Sequence, residues 1–195
     1  MSLVIAAHNG KDIVVACDSR SMITASDGST ASSTSIEKVT VINPGLALII
    51  TGRYMSDKLD VIKQYVGDVQ NTPELDAAFG VLCRVATKEI VLHGRGEGFR
   101  IGLAGFNLGV PTFKCVTIRD GYDPLLEGAN SNYYLSGERT PVELAEAKIG
   151  GVRLAESLTA ALERTVRAVL GECIDECSGI LGGPVDSWTL SRPIR

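Results

Sequence analysis

The residues whose types could do chemistry are few and scattered. Ser2 follows the initiator methionine, Asp18 closes one apolar run, Lys38 stands before Val39, and Gly52 ends another apolar run. Ser136-Gly137 and Asp175-Glu176-Cys177-Ser178-Gly179 lie in the second half. Together they offer hydroxyls, carboxylates, an ammonium and an unshielded backbone N–H, the kinds of group that nucleophilic catalysis draws on. Each also has a plain structural reading. A serine after the initiator is usually just a chain terminus, and Asp18 can simply end a strand, since Asp favours turns. Lys38 can be a solvated lysine, and Gly52 a strand-to-helix turn. Asp175 and Ser178 can be polar helix-end residues with Gly179 as the C-cap.

Other chemistries find less support. Gly94-Arg95-Gly96-Glu97-Gly98 is glycine-rich, but it follows a helical pattern instead of a strand and reads as a turn. Cys17, Cys83, Cys115, Cys173 and Cys177 are odd in number and widely spread, which suits reduced thiols in a cytoplasmic protein more than a disulfide frame. With His8 and His93 the only histidines, a zinc site is short of ligands, and no metal or other cofactor is expected. A formal charge of −4, with few aromatics among the basic residues, gives no reason to expect nucleic acid. The longest apolar runs, such as Leu46 to Ile50, are too short to span a bilayer, and no membrane partner is expected. The start, from Met1 to His8, lacks the basic and long apolar regions of a secretory signal, so it reads as the beginning of the working protein.

The elements that must position these residues follow from periodicity and turn chemistry. The 195 residues suit a single domain, 1–195. Leu3 to Ala7 and Ile13 to Asp18 form a hairpin across Asn9-Gly10-Lys11. Thr24 to Ser35, rich in Ser, Thr and Gly, reads as loop. Lys38 to Ile42 and Leu46 to Thr51 make a second hairpin across Asn43-Pro44-Gly45. A helix is predicted from Tyr54 to Val69, and another runs from a Thr72 cap and Pro73 towards His93. Strands follow at Ile101 to Phe106 and Phe113 to Ile118, joined by a Gly/Pro turn, with a short one at Tyr133 to Leu135. Thr140-Pro141-Val142-Glu143 reads as a capping box opening a helix. A longer helix covers Ser157 to Ile174 with Leu158, Leu162, Val166 and Val169 on one stripe, and a last strand covers Val185 to Leu190. Strands and helices in separate blocks imply stacked layers, with two antiparallel sheets between helices.

Over nearly its whole length the chain resembles proteasome β subunits, particularly the protease of the bacterial HslUV system. The resemblance rests on six features in order: Ser2 leading into a strand; Asp18 sixteen residues later; Lys38-Val39; Gly52 fourteen residues after Lys38; Ser136-Gly137 before the third helix; and Asp175-x-x-Ser178-Gly179 after the fourth. Leu103-Ala104-Gly105-Phe106 to Arg119-Asp120-Gly121 is similar to the family's central hairpin.

The resemblance implies an α+β, four-layer αββα sandwich of the N-terminal-nucleophile (Ntn) hydrolase type. It implies cleavage of peptide or small amide substrates, a homo-oligomeric ring, and an ATPase unfoldase as partner. Once Met1 is removed, Ser2 would attack and its own α-amino group would take the proton, since an amine with a pKa near 8 can be neutral enough to serve. Lys38 would lower that pKa further, Asp18 would hold Lys38, and the Gly52 N–H would meet the oxyanion. Ser136, Asp175 and Ser178 would fix the amino group. Ile36, Thr40, Ile50 and Tyr54 would line the specificity pocket. A retained Met1 would remove the base, and serine replaces the threonine usual in active rings. Two alternatives stay open: an inactive proteasome-like ring scaffold, and an Ntn amidase acting on a small molecule.

Overall fold

The computed structural model describes residues 2–24, 30–33, 37–52, 75–93, 99–118, 125–129, 132–154 and 157–192. Strands β1 (Leu3–His8) and β2 (Asp12–Asp18) form the expected hairpin. Its turn is built by Asn9, whose Oδ1 accepts the N–H groups of Lys11 and Asp12 at 2.9 and 2.8 Å, and by Gly10 at φ +89°. Asn-Gly supplies both the side-chain acceptor and the positive φ that such a turn needs. These two strands are apolar on both faces, so both faces must be covered.

Two antiparallel sheets meet that requirement. In one, β10 (Tyr133–Gly137), β1, β2 and β11 (Val185–Ser191) lie in that order. The other runs β5 (Val39–Asn43), β6 (Leu46–Gly52), β7 (Phe99–Asn107), β8 (Val110–Ile118) and β9 (Leu125–Ala129). Strand alternation sorts the side chains. Val4, Ala6, Ile13, Val15 and Cys17 pack against Val39, Ala47, Ile49, Ala104, Phe113 and Cys115 between the sheets. Leu3, Ile5, Ala7, Val14 and Ala16 face the other way, onto helices α2 (Arg139–Ile149) and α3 (Thr159–Glu176). On the far side of the second sheet, Leu46, Leu48, Ile50, Ile101 and Leu103 meet Leu75, Ala78 and Leu82 of α1 (Leu75–His93). The layers are therefore helix, sheet, sheet, helix, the α+β sandwich expected. Burying each of these large aliphatic side chains stabilises the fold by about 1.5–3 kcal/mol against an exposed reference.

Some local expectations need correcting. Thr24 to Ser35 is not all loop: β3 (Ser21–Thr24) and β4 (Thr30–Ser33) pair as a separate antiparallel ribbon. Ser and Thr suggest a loop by composition, yet two short segments can satisfy each other's backbones. Strand β9 was not foreseen. The turn between β7 and β8 is Leu108-Gly109, both at positive φ, while Pro111 lies inside β8 opposite Phe106.

The capping box does not form. Helix α2 starts at Arg139 behind Glu138, without a side-chain cap, and Glu143 instead holds Arg139 at 2.7 Å one turn away. Leu158 is the N-cap of α3 and 80% exposed, so the stripe runs through Leu162, Val166, Val169, Leu170 and Cys173. The helix expected at Tyr54 to Val69, and the helix start expected at Thr72-Pro73, lie outside the described residues. Among the described residues no helix is long and apolar enough to cross a membrane.

Candidate active site

Ser2 directly precedes β1, whose Val4 and Ala6 face the opposite sheet. It is buried, and its carbonyl accepts the Glu138 N–H at 3.1 Å. Gly137 pairs with Leu3 at φ +154°, and a Cβ there would run into the Ser2 carbonyl oxygen. Only glycine lets β10 approach this closely in that conformation. The Ser136-Gly137 pair thus seats the backbone of Ser2.

Asp18 ends β2 and Lys38 precedes β5, so they come from opposite sheets. The Lys38 ammonium donates to Asp18 Oδ1 at 2.6 Å and to the Arg20 carbonyl at 2.5 Å. The same Oδ1 accepts the Leu3 N–H at 2.8 Å, which links the pair to the residue next to Ser2. Lys38 is 4% exposed and Asp18 fully buried, so the solvated-lysine reading does not hold. Burial pushes the Lys38 ammonium below its ordinary value, and Asp18 pulls it back up. Asp18 Oδ2 and the Ser19 hydroxyl are buried without a hydrogen-bond partner among the described residues. The neighbouring Cys17 thiol is pushed up to about 12 by burial. It stays protonated and is no rival nucleophile.

Gly52 closes β6 opposite Phe99 at φ +105°. Beside it, the Thr51 hydroxyl lies 2.5 Å from that of Ser136 on the other sheet. Two polar links among the described residues, Lys38–Asp18 and Thr51–Ser136, therefore join the sheets; the first is tied to the Leu3 N–H, and the second ends beside Gly137, the strand partner of Leu3.

Asp175 and Ser178 occupy the end of α3 and the turn after it, and both are exposed. Among the described residues no hydrogen bond ties either side chain to Ser2, Lys38 or Ser136. The backbone of this turn is tied in instead. The Arg20 guanidinium donates to the carbonyls of Ser178 at 2.9 Å and Leu181 at 3.5 Å, and the Arg20 N–H donates to Gly182 O at 3.0 Å. Arg20 thus fixes the turn that follows α3 by its backbone carbonyls. The C-cap is Cys177, not Gly179, which is not in the left-handed region. Thr40 is half-buried and Ile50 lies in the core beneath α1, while Ile36 and Tyr54 fall outside the described residues.

Arg20 and Thr51 were not singled out from sequence. Arg20 reaches Lys38 through a carbonyl, which every residue has, so its type carried no signal. Thr51 did carry one: it is a hydroxyl in phase with Ala47 and Ile49 on an otherwise apolar face. Among the described residues, no three of His, Cys, Asp and Glu gather as metal ligands. No model of a known protein family matches the chain, and comparison with curated proteins gives no significant match.

Proposed function

We propose that the chain is an Ntn hydrolase of the proteasome β type, with the Ntn form of the αββα sandwich, that cleaves peptide or small amide bonds through Ser2. The observation that carries this is the buried Lys38–Asp18 pair, whose carboxylate also holds the Leu3 N–H beside Ser2. Removing one partner of such a pair leaves a costly unpaired charge, and a buried cation on the carboxylate that holds the residue after a candidate nucleophile is a place where a shifted pKa can serve catalysis.

In this reading, removal of Met1 frees the Ser2 α-amino group. That amine takes the Oγ proton while Oγ bonds to the carbonyl carbon of the substrate. Charge developing on the carbonyl oxygen meets the Gly52 N–H. The tetrahedral adduct then collapses, its C–N bond breaks, and the leaving amine takes the proton, which leaves an ester on Ser2. Water activated by the same amine cleaves the ester and restores the serine. Lys38 keeps the amine neutral by like-charge repulsion. Assembly into a homo-oligomeric ring with an ATPase unfoldase belongs to the same reading.

The test is labelling of Met1-free protein by a peptide β-lactone, which an N-terminal hydroxyl opens to an ester. Wild-type protein should take up one label, and Ser2→Ala should fall to background. Labelling that survives Ser2→Ala would place the chemistry elsewhere. A wild-type protein that never labels would favour the ring scaffold.

A further inference from the structure

We propose that Thr51 is a positioning residue, which sets the Gly52 N–H relative to Ser2 by bridging the sheets through Ser136; this rests on the reading of Ser2 and Gly52 above. The distance from Ser2 to the oxyanion donor depends on how one sheet lies on the other. Most of what joins them is apolar: Val4 and Ala6 on one side, Ala47 and Ile49 on the other. Such contacts are not directional and tolerate small shifts. A hydrogen bond fixes both distance and angle. The Thr51–Ser136 bridge, at 2.5 Å, joins two side chains that are 1% and 0% exposed.

Its ends lie where position matters. Thr51 is bonded to the peptide whose N–H is that of Gly52. Ser136 is bonded to Gly137, against which the Ser2 carbonyl rests. Buried hydroxyls in this layer are not paired by default, because that of Thr117 is buried without a hydrogen-bond partner among the described residues. Thr51 is also the first polar position on a face that is apolar at Ala47 and Ile49. A hydroxyl there, with its partner in place, is a specific arrangement.

The experiment compares Thr51→Val, which keeps the shape and loses the hydroxyl, with Thr51→Ser, which keeps the hydroxyl. Met1-free protein is acylated by an activated peptide ester, and the maximal acylation rate is separated from the half-saturating concentration. Thr51→Val should lower the maximal rate about 10- to 100-fold, the penalty of a misplaced oxyanion donor. The half-saturating concentration should stay unchanged, and Thr51→Ser should recover most of the rate. A Thr51→Val protein as fast as wild type, or a Thr51→Ser protein as slow as Thr51→Val, would overturn the assignment while leaving Ser2 in place. A wild-type protein that forms no acyl-enzyme would remove the Ser2 reading and this one with it. The bridge is also read without activity: urea midpoints of Thr51→Val, Ser136→Ala and the double variant should be non-additive. Additive shifts would show that the two hydroxyls are not coupled.

Discussion

Strand β2 is bounded by two buried aspartates whose surroundings differ. At one end, Asp12 is satisfied by neutral groups: Thr159 Oγ1 donates to Oδ2 at 2.5 Å and Ser191 Oγ to Oδ1 at 3.0 Å. These bonds tie β2 to the start of α3 and the end of β11. At the other end, Asp18 takes a lysine and a backbone N–H on a single oxygen and leaves Oδ2 with no hydrogen-bond partner among the described residues. The first is a structural joint. The second is a buried charge pair with unused hydrogen-bonding capacity, next to the Ser2 backbone. Buried polar atoms are nearly always paired, and exceptions concentrate at functional sites.

The contrast breaks most sharply with Lys38→Ala. It leaves Asp18 buried and unpaired, so stability should fall by about 3–5 kcal/mol in urea unfolding, and lactone labelling should be lost. Replacing both partners sharpens the point. Lys38→Met with Asp18→Leu should regain much of the stability and none of the labelling, because well-packed apolar residues can replace a buried pair. If the double replacement labelled like wild type, Lys38 and Asp18 would be structural only, as Asp12 is.

A smaller effect is expected at the other end. Asp12→Ala removes the part-buried hydrogen bonds from Thr159 and Ser191 and should cost about 1–3 kcal/mol. Labelling at Ser2 should be unchanged in the folded protein. A loss of labelling out of proportion to the loss of fold would erase the distinction between the two ends.

The smallest effect is in pH. With the Lys38 pKa lowered by burial, the folded state binds fewer protons than the unfolded one between that lowered value and the ordinary lysine value of 10.5. Stability contributed by this group therefore rises with pH through that window, and the penalty is fully present below it. Urea midpoints of wild type, taken against Lys38→Met across the alkaline range, should show this rise. A falling difference would mean that the pull of Asp18 outweighs burial.

How much was legible in the sequence depended on whether a residue's type or its partner decided the outcome. The hairpins at Asn9-Gly10 and Asn43-Pro44-Gly45 were legible because turn chemistry is local; Asn43 Oδ1 takes the Gly45 N–H at 2.8 Å. Ribbon β3–β4 and strand β9 were not, since Thr30-Ala31-Ser32-Ser33 and Leu125-Leu126-Glu127-Gly128-Ala129 become strands only through pairing. The layer order was legible because strands and helices fall in blocks. In the site, Ser2, Asp18, Lys38, Gly52 and Ser136 were named through resemblance, and alternation alone could have added Thr51. Arg20 could not be found that way, because its carbonyl acts through a fold that brings two sheet edges together. Asp175 and Ser178 were named as side chains, whereas the carbonyl of Ser178 is what the turn contributes.

The central claim is that Ser2 acts with its own amine. The most direct measurement is mass-spectrometric mapping of the lactone adduct in a sample holding both Met1-bearing and Met1-free chains. In one tube, the account expects the adduct on Ser2 of Met1-free chains alone, with Met1-bearing chains unmodified. An adduct on chains that retain Met1, or on any residue other than Ser2, would contradict it.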